Sequence, residues 1–456
     1  MANSGGKHVI IVGGGASGTL MACHLLRDHR DEFVVTLVER RAQVGPGIAY
    51  STVNPEHLLN VRAGNMSAYA DDQDHFWRWL SEQADRRSLC PDPHCFVQRR
   101  LYGEYMTSLL DAHSREGDRL NIVRGECLSV TEKPNGVAVA MADGSTHIGS
   151  FAVLATGNDA YGDFDKESYA SPWLEATGSA GSDSDQPILV LGTGLTMVDY
   201  VLSAVGAGYG GRIVALSRRG LLPRVHKPAE IARISKDEVP FGKPPGHFCR
   251  WLRKRITDHT LEGGDWRGVI DGLRPYTQEI WRTFSQAARR RFLEHARSWW
   301  DVHRHRMAPE IASSLQAMLG MRRLRIVAAK ITEVAHLQSG YRVSYQRRGG
   351  GAVESDTFWK IVDCRGLVTD PSRSSNPVIR SLLSSGAARP DPLRIGISVS
   401  ADCAIESASG APSRRIFAIG PLTRAALWEC IAIPDIRMQC GDLARHLRYH
   451  PLSAVA

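Results

Sequence analysis

Two glycine turns, each set between an apolar strand and a helix-forming run, carry the chemistry that is readable in this sequence. The first is Gly13-Gly14-Gly15-Ala16-Ser17-Gly18, entered from the run His8–Val12 and left through Thr19–Arg27. Gly13 permits a tight turn, Gly15 lets the backbone approach a diphosphate, and Gly18 lets the helix pack close to its strand. The helix start, with Ala16 and Ser17, offers unpaired N–H groups and the positive dipole end to phosphate oxygens. The next strand, Phe33–Val38, ends in Glu39-Arg40. A carboxylate at that place takes the two hydroxyls of an adenosine ribose and repels a 2′-phosphate, which predicts FAD or NAD over NADP.

The second turn, Gly192-Thr193-Gly194-Leu195-Thr196-Met197, follows the strand Pro187–Leu191. Met197 stands where a third glycine would, so its helix is expected to sit farther from its strand. The following strand ends in Ser217-Arg218-Arg219. A hydroxyl and two guanidinium groups can bond and neutralise a 2′-phosphate, which predicts NADPH; the bland alternative is an exposed basic strand end. One acidic and one basic strand end argue for two different dinucleotides. A nicotinamide that gives hydride to a flavin is the simplest chemical use for both.

These turns need parallel sheets to hold them, so the expected fold is α/β with two Rossmann-like dinucleotide-binding domains. The FAD domain is expected to be discontinuous, 1–170 and 365–456, with an NAD(P)H domain at 171–364 carrying a helical insertion at about 227–308. The strand ending Ala155-Thr156-Gly157 closes the first part, and the polar stretch Thr177–Gln186 reads as a linker. A loop with Gly45 and Gly47 is expected to run beside the first cofactor, followed by Leu58-Leu59-Asn60-Val61. On the helix opening near Phe96, the residues Arg99, Tyr102 and Tyr105 share a face, read as packing or as binding. Near the end, a strand closing in Gly420-Pro421 precedes a helix opened by Pro434-Asp435, whose N–H groups can face the flavin pyrimidine.

Composition narrows the partners. The chain has 456 residues and a formal charge of +8, which suits anionic small molecules. No Lys/Arg tract is interleaved with aromatics as a nucleic-acid strip requires, so nucleic acid is set aside. The nine cysteines, at 23, 90, 95, 127, 249, 364, 403, 430 and 440, show no zinc spacing and read as reduced thiols. Cys90 and Cys95 read as two loop cysteines. The His/Arg run Trp299–Arg306 lacks neighbouring carboxylates or thiols, so no metal is expected. No apolar run is long enough to span a bilayer and no signal-peptide core opens the chain, so it reads as cytoplasmic. A homo-oligomer stays open.

Taken together, these motifs resemble a family of bacterial FAD-NAD(P)-binding proteins, related to class B flavin monooxygenases and amino-acid N-hydroxylases. The resemblance runs through both glycine turns, Gly45–Ser51, Leu58–Asp72, Ala155–Gly157, Trp300–Arg306 and Gly420–Asp435. It implies FAD at Gly13, Gly15, Gly18, Glu39 and Gly420, with Ala16, Ser17, Arg40, Gly47, Asn60, Gly157 and Asp435 beside it. It implies NADPH at Gly192, Gly194, Ser217, Arg218 and Arg219. The implied activity is oxygen transfer through a C4a-peroxyflavin, N-hydroxylation of a small amine or amino acid included, on a polar or anionic substrate with molecular oxygen. A reductase or oxidase without oxygen insertion, and a flavin-binding sensor or scaffold, are the other readings. Pro421, Cys364-Arg365-Gly366 and Met197 depart from the family pattern. Arg304, Arg306 and Arg365 are the candidates for an anionic substrate or the NADP phosphates, and no catalytic residue is singled out.

Overall fold

A computed structural model describes residues 6–27, 32–82, 84–115, 117–158, 170, 185–366 and 370–451. The chain divides into two compact units. The first comprises Met1–Val53, Val61–Gly162 and Leu367–Ala456, and the second Asn54–Asn60 and Asp163–Gly366. Most of the polar linker Thr177–Gln186 lies outside the described residues.

The first unit is organised by a six-stranded sheet in the order Ala404–Glu406, Pro412–Ala418, Phe151–Leu154, Lys7–Val12, Phe33–Glu39, Leu120–Arg124. All neighbours are parallel except the first pair. The central strand is apolar from Val9 to Val12 because both faces are covered there; Val9, Ile10 and Ile11 are fully buried. Its neighbours are the next strand in sequence, Phe33–Glu39, on one side and the distant Phe151–Leu154 on the other. That switch of strand order opens a crevice at the carboxyl ends of the strands, where open α/β sheets bind ligands.

A three-stranded antiparallel meander, Cys127–Lys133, Gly136–Met141 and Thr146–Gly149, packs onto the same core. The helix Ile433–Tyr449 closes the unit, and Lys7 Nζ donates to the carbonyls of Leu447, Arg448 and His450 at 2.9, 2.5 and 2.8 Å. One ammonium thus caps the orphan carbonyls of the last helix, joining the two ends of the described chain.

The second unit repeats the plan with a mixed sheet in the order Val353–Phe358, Gly340–Arg347, Leu324–Leu337, Ile213–Ser217, Ile188–Leu191, Lys360–Asp363. Four strands are parallel, and the Gly340–Arg347 and Val353–Phe358 strands form an antiparallel edge. Between Ile213–Ser217 and Leu324–Leu337 the chain inserts helices that include Pro245–Leu261, Trp266–Gly272 and Arg297–Arg304.

One cysteine expectation is overturned. Cys90 and Cys95 are joined as a disulfide, with Cα atoms 5.5 Å apart. The fold brings the two together because the loop between them is held from outside. Ala63 N–H donates to Cys95 O at 3.0 Å, and Gly64 N–H to Pro93 O at 2.8 Å. Alkylating the unfolded but unreduced protein is therefore expected to leave Cys90 and Cys95 unmodified, and reduction to add two labels per chain by peptide mass. Full labelling before reduction would contradict the bond.

Candidate functional site: two glycine turns at parallel strand ends

The first turn is built from backbone approaches that only glycine allows. Gly13 has φ +110°, and a side chain there would run into the Ala155 carbonyl of the next strand. A side chain at Gly18 would run into the carbonyl of Gly13, so this helix cannot pass its own turn with anything larger. Gly14, which the sequence reading passed over, is as constrained: its Cβ would lie 2.8 Å from the Glu39 side chain and 2.9 Å from Val44. The turn and the strand end are one unit, since Gly14 N–H donates to Glu39 Oε2 at 2.8 Å. Glu39 Oε1 accepts from Arg41 N–H at 2.9 Å, and the residue is 9% exposed. Each carboxylate oxygen has two lone pairs, so capacity for ribose hydroxyls remains. Arg40 points elsewhere, to Glu126 at 3.1 Å, in a half-exposed pair of little energetic weight.

The helix Ala16–Arg27 makes its first inward bond from Thr19 N–H to Gly15 O at 2.9 Å. The N–H groups of Ala16, Ser17 and Gly18 therefore precede the helical ladder and remain available to an anion. Gly47, at φ +63°, backs onto Gly15, and Gly45 N–H donates to Gly14 O at 2.7 Å. Gly157 has φ +71° with nothing within 4 Å of its would-be side chain, and it lines a pocket with Thr156, Asn158 and Pro421.

Gly420 is pressed against the helix start: its Cβ would fall 2.7 Å from Ser17 Oγ. Asp435 sits in the first turn of Ile433–Tyr449. The same helix supplies a residue that the sequence reading missed. Gln439, 6% exposed, accepts from Gly420 N–H at 2.8 Å and from the Cys430 thiol at 2.9 Å. Its amide donates to Thr423 Oγ1 at 3.0 Å. Burial pushes the Cys430 thiol well up, which keeps it protonated as a donor. A polar residue on the buried face of that helix was the available signal. Asn60 is not gathered here; it groups with the second unit, where its carbonyl bonds His226 Nε2 at 3.0 Å.

In the second unit Gly192, at φ +107°, lies with its would-be Cβ 2.6 Å from Cys364 O. Gly194 caps the helix Leu195–Gly206 at φ −85°, with nothing within 4 Å of a would-be Cβ. No packing or dihedral demands glycine there, so the open space suits a ligand backed onto the helix start. Met197 is fully buried. Ser217 is already engaged, sharing a bond with Thr193 Oγ1 at 2.9 Å and accepting from Gly220 N–H at 2.9 Å. Its hydroxyl shapes the turn. Arg218 is exposed; Arg219 is partly buried, with Nη2 3.5 Å from Glu294 O and Nη1 buried without a hydrogen-bond partner. Glu294 lies in the π-helical stretch Phe292–Ala296, whose altered ladder can leave a carbonyl for such a donor.

Two of the three substrate-cation candidates are committed elsewhere. Arg306 is 3% exposed, ion-paired with Asp271, and donates through Nε to His303 O at 2.9 Å. Burial lowers its pKa while Asp271 opposes the shift, the signature of a structural cation. Arg365 grips Asp363 through two nitrogens at 2.9 and 2.6 Å. Arg304 ends the helix Arg297–Arg304. Among the described residues no group of three or more His, Cys, Asp or Glu could hold a metal ion, and no helix is long and apolar enough to cross a membrane.

This is the fold of the flavoproteins with two dinucleotide-binding domains. Residues 10–159 match the family model described as FAD-NAD(P)-binding. No curated protein sequence matches the chain. Among solved structures, the FAD-bound cadaverine monooxygenase of desferrioxamine biosynthesis from Erwinia amylovora superimposes with a TM-score of 0.69 at 11% identity, covering 99% of this chain and 97% of that one. L-lysine 6-monooxygenase from Pseudomonas syringae gives 0.64 at 15% identity, covering 97% and 99%. Ornithine N-hydroxylase from Kutzneria sp. 744, with reduced FAD, NADP⁺ and L-ornithine, gives 0.63 at 14% identity over the same shares.

The two turns make opposite predictions for the same substitution. Gly13→Ala should lower stability by roughly 2–4 kcal/mol through strain and a carbonyl clash, read as a fall in thermal midpoint. Gly194→Ala should leave the midpoint unchanged and weaken NADPH binding. A Gly194→Ala variant that unfolds early without losing affinity would put the open space to a different use.

Proposed function

We propose that this protein is a cytoplasmic FAD-dependent oxidoreductase that uses NADPH, and specifically a monooxygenase acting on a small polar or anionic amine or amino acid. The observation that carries the reading is the electrostatic contrast between two otherwise similar turns. The buried Glu39 carboxylate closes the first, and Ser217-Arg218-Arg219 closes the second. A carboxylate excludes a 2′-phosphate, whereas a partly buried guanidinium with an unused nitrogen attracts one. Likeness along almost the whole chain to enzymes named as cadaverine, lysine and ornithine monooxygenases or hydroxylases supports the same reading.

In this assignment 1–170 and 365–456 form the FAD domain and 171–364 the NADPH domain. The N–H groups of Gly15, Ala16, Ser17 and Gly18 hold a diphosphate, Glu39 holds the ribose, and Gly47, Gly157 and Gly420 keep the backbone close. Asp435 marks the helix start that faces the flavin. Gly192 and Gly194 admit the second diphosphate, while Arg218 and Arg219 take the 2′-phosphate on a turn braced by Ser217. Bound FAD would accept hydride from NADPH and make the electrons available to oxygen. The chain's own task is to hold both dinucleotides and keep water from the reacting atoms.

The test is anaerobic. NADPH should bleach the flavin absorbance of the purified protein faster than NADH does. Admitting oxygen with a panel of diamines and amino acids should then give a hydroxylated amine in proportion to NADPH consumed. Hydrogen peroxide as the sole product across the panel would move the assignment to a reductase or oxidase, and a bound flavin that neither nucleotide bleaches would defeat it. Arg219→Ala should raise the KM for NADPH about tenfold and leave that for NADH unchanged, the size expected for one charge-assisted contact.

A further inference from the structure

The helix face formed by Arg99, Tyr102 and Tyr105 finds no place in the reading above, and the structure gives it one. Tyr105 is fully buried and satisfied, its hydroxyl accepting from Ala68 N–H at 3.2 Å and meeting His75 Nδ1 at 2.7 Å. Tyr102 is also fully buried, its ring edge-on to Tyr50 at 4.6 Å and to Phe76 at 5.0 Å. Its hydroxyl has no hydrogen-bond partner among the described residues. Arg437, 8% exposed on the second turn of Ile433–Tyr449, donates from Nη1 to Ser67 O at 2.9 Å, while its Nε is buried without a partner. The two groups feel one another. Burial drives the Tyr102 phenol well above its ordinary value and the Arg437 charge opposes that rise. Burial lowers Arg437 and Tyr102 opposes that fall. Two buried donors with unused capacity, one of them a cation, are rare in native interiors unless an acceptor meets them.

The surroundings say which acceptor. Tyr50 ends the short helix Gly47–Tyr50, which begins at the glycine backed onto Gly15. Gly103, next to Tyr102, passes so close to Tyr50 O and Pro46 that no side chain fits, which ties the Tyr102 helix to this loop. On the other side, Ile436 beside Arg437 reaches the place of a side chain at Gly420. Pro421, which follows, has neither an N–H nor a polar side chain to give. The helix start at Ala16 contributes only a fractional positive charge toward a diphosphate that carries two negative ones.

We propose that Arg437 Nε and the Tyr102 hydroxyl form a buried donor pair for the diphosphate of the dinucleotide bound at the first glycine turn. This rests on the reading that the first unit binds FAD. Arg437 supplies the full charge that the glycine turn lacks, and Tyr102 supplies a neutral donor beside it. Ser67 O holds Arg437 and the Tyr50 ring holds Tyr102, and both polar atoms are covered, so a diphosphate meets them only as the side chains over them part.

The experiment titrates the flavin-free protein with FAD, and separately with ADP, which keeps a diphosphate and lacks the flavin. Tyr102→Phe removes one oxygen and keeps the ring contacts; Arg437→Gln removes the charge, and Arg437→Lys restores it. The Kd for both ligands should rise about tenfold in Tyr102→Phe and about a hundredfold in Arg437→Gln, with partial recovery in Arg437→Lys. If Arg437→Gln fails to fold, Tyr102→Phe decides the matter. Wild-type affinity in the folded variants would overturn the pair while leaving FAD binding intact, and so would losses for FAD with none for ADP. Failure of the unaltered protein to bind FAD would overturn the pair together with the reading on which it rests.

Discussion

The first unit depends on how closely its first helix passes the turn from which it starts. With Gly18 stacked on the Gly13 carbonyl, and Gly13 on Ala155, the helix, the turn and two parallel strands share backbone contacts with no side chain between them. That closeness brings the free N–H groups of Ala16 and Ser17 to the carboxyl ends of the strands. It also lets Gly14 touch Glu39, so the group suited to a ribose is fixed by the turn suited to a diphosphate. Gly420 packs against Ser17 from the far end of the sequence, and Gln439 holds Gly420 in turn. The order of cause runs from glycine spacing to helix placement to the site.

The second unit uses the same geometry with a looser fit. Gly192 repeats the approach to a neighbouring strand end, here at Cys364, but Met197 fills core volume where the first unit has Gly18. Thr193, Ser217 and Gly220 brace the turn through hydroxyl bonds, where the first unit uses the Glu39 carboxylate. The strand end is thereby divided: Ser217 is bonded within the turn, whereas Arg218 is exposed and Arg219 is partly buried.

The parts of this architecture that are local in sequence were legible before any coordinates. Strand, glycine turn and helix occupy adjacent residues, and the charge at each strand end follows a fixed number of positions later, so Glu39 and Arg219 could be found by reading forward. What failed to show were features made by chain segments that meet only in the fold. The Cys90–Cys95 bond depends on residues 63 and 64 holding the loop. Arg306 looked available in a run of cations, yet Asp271 and Trp266 enclose it. Asn60 followed the first cofactor loop in sequence but groups with the second unit. Gln439 and Arg437 looked like ordinary polar positions on an amphipathic helix, and only burial against distant loops reveals them.

The sheet of the first unit also imposes an order on synthesis. The strand Phe151–Leu154 takes Pro412–Ala418 as its outer neighbour, more than 250 residues downstream. Until that later strand leaves the ribosome, one side of Phe151–Leu154 presents unpaired N–H and C=O groups, while Asp163–Gly366, most of the second unit, is made in the interval. The intervening unit has its own sheet and can close first. The nascent chain thus carries a bare apolar strand edge beside a finished neighbour, the kind of surface that holding chaperones cover, and a break in translation anywhere before residue 412 would leave that edge exposed for good.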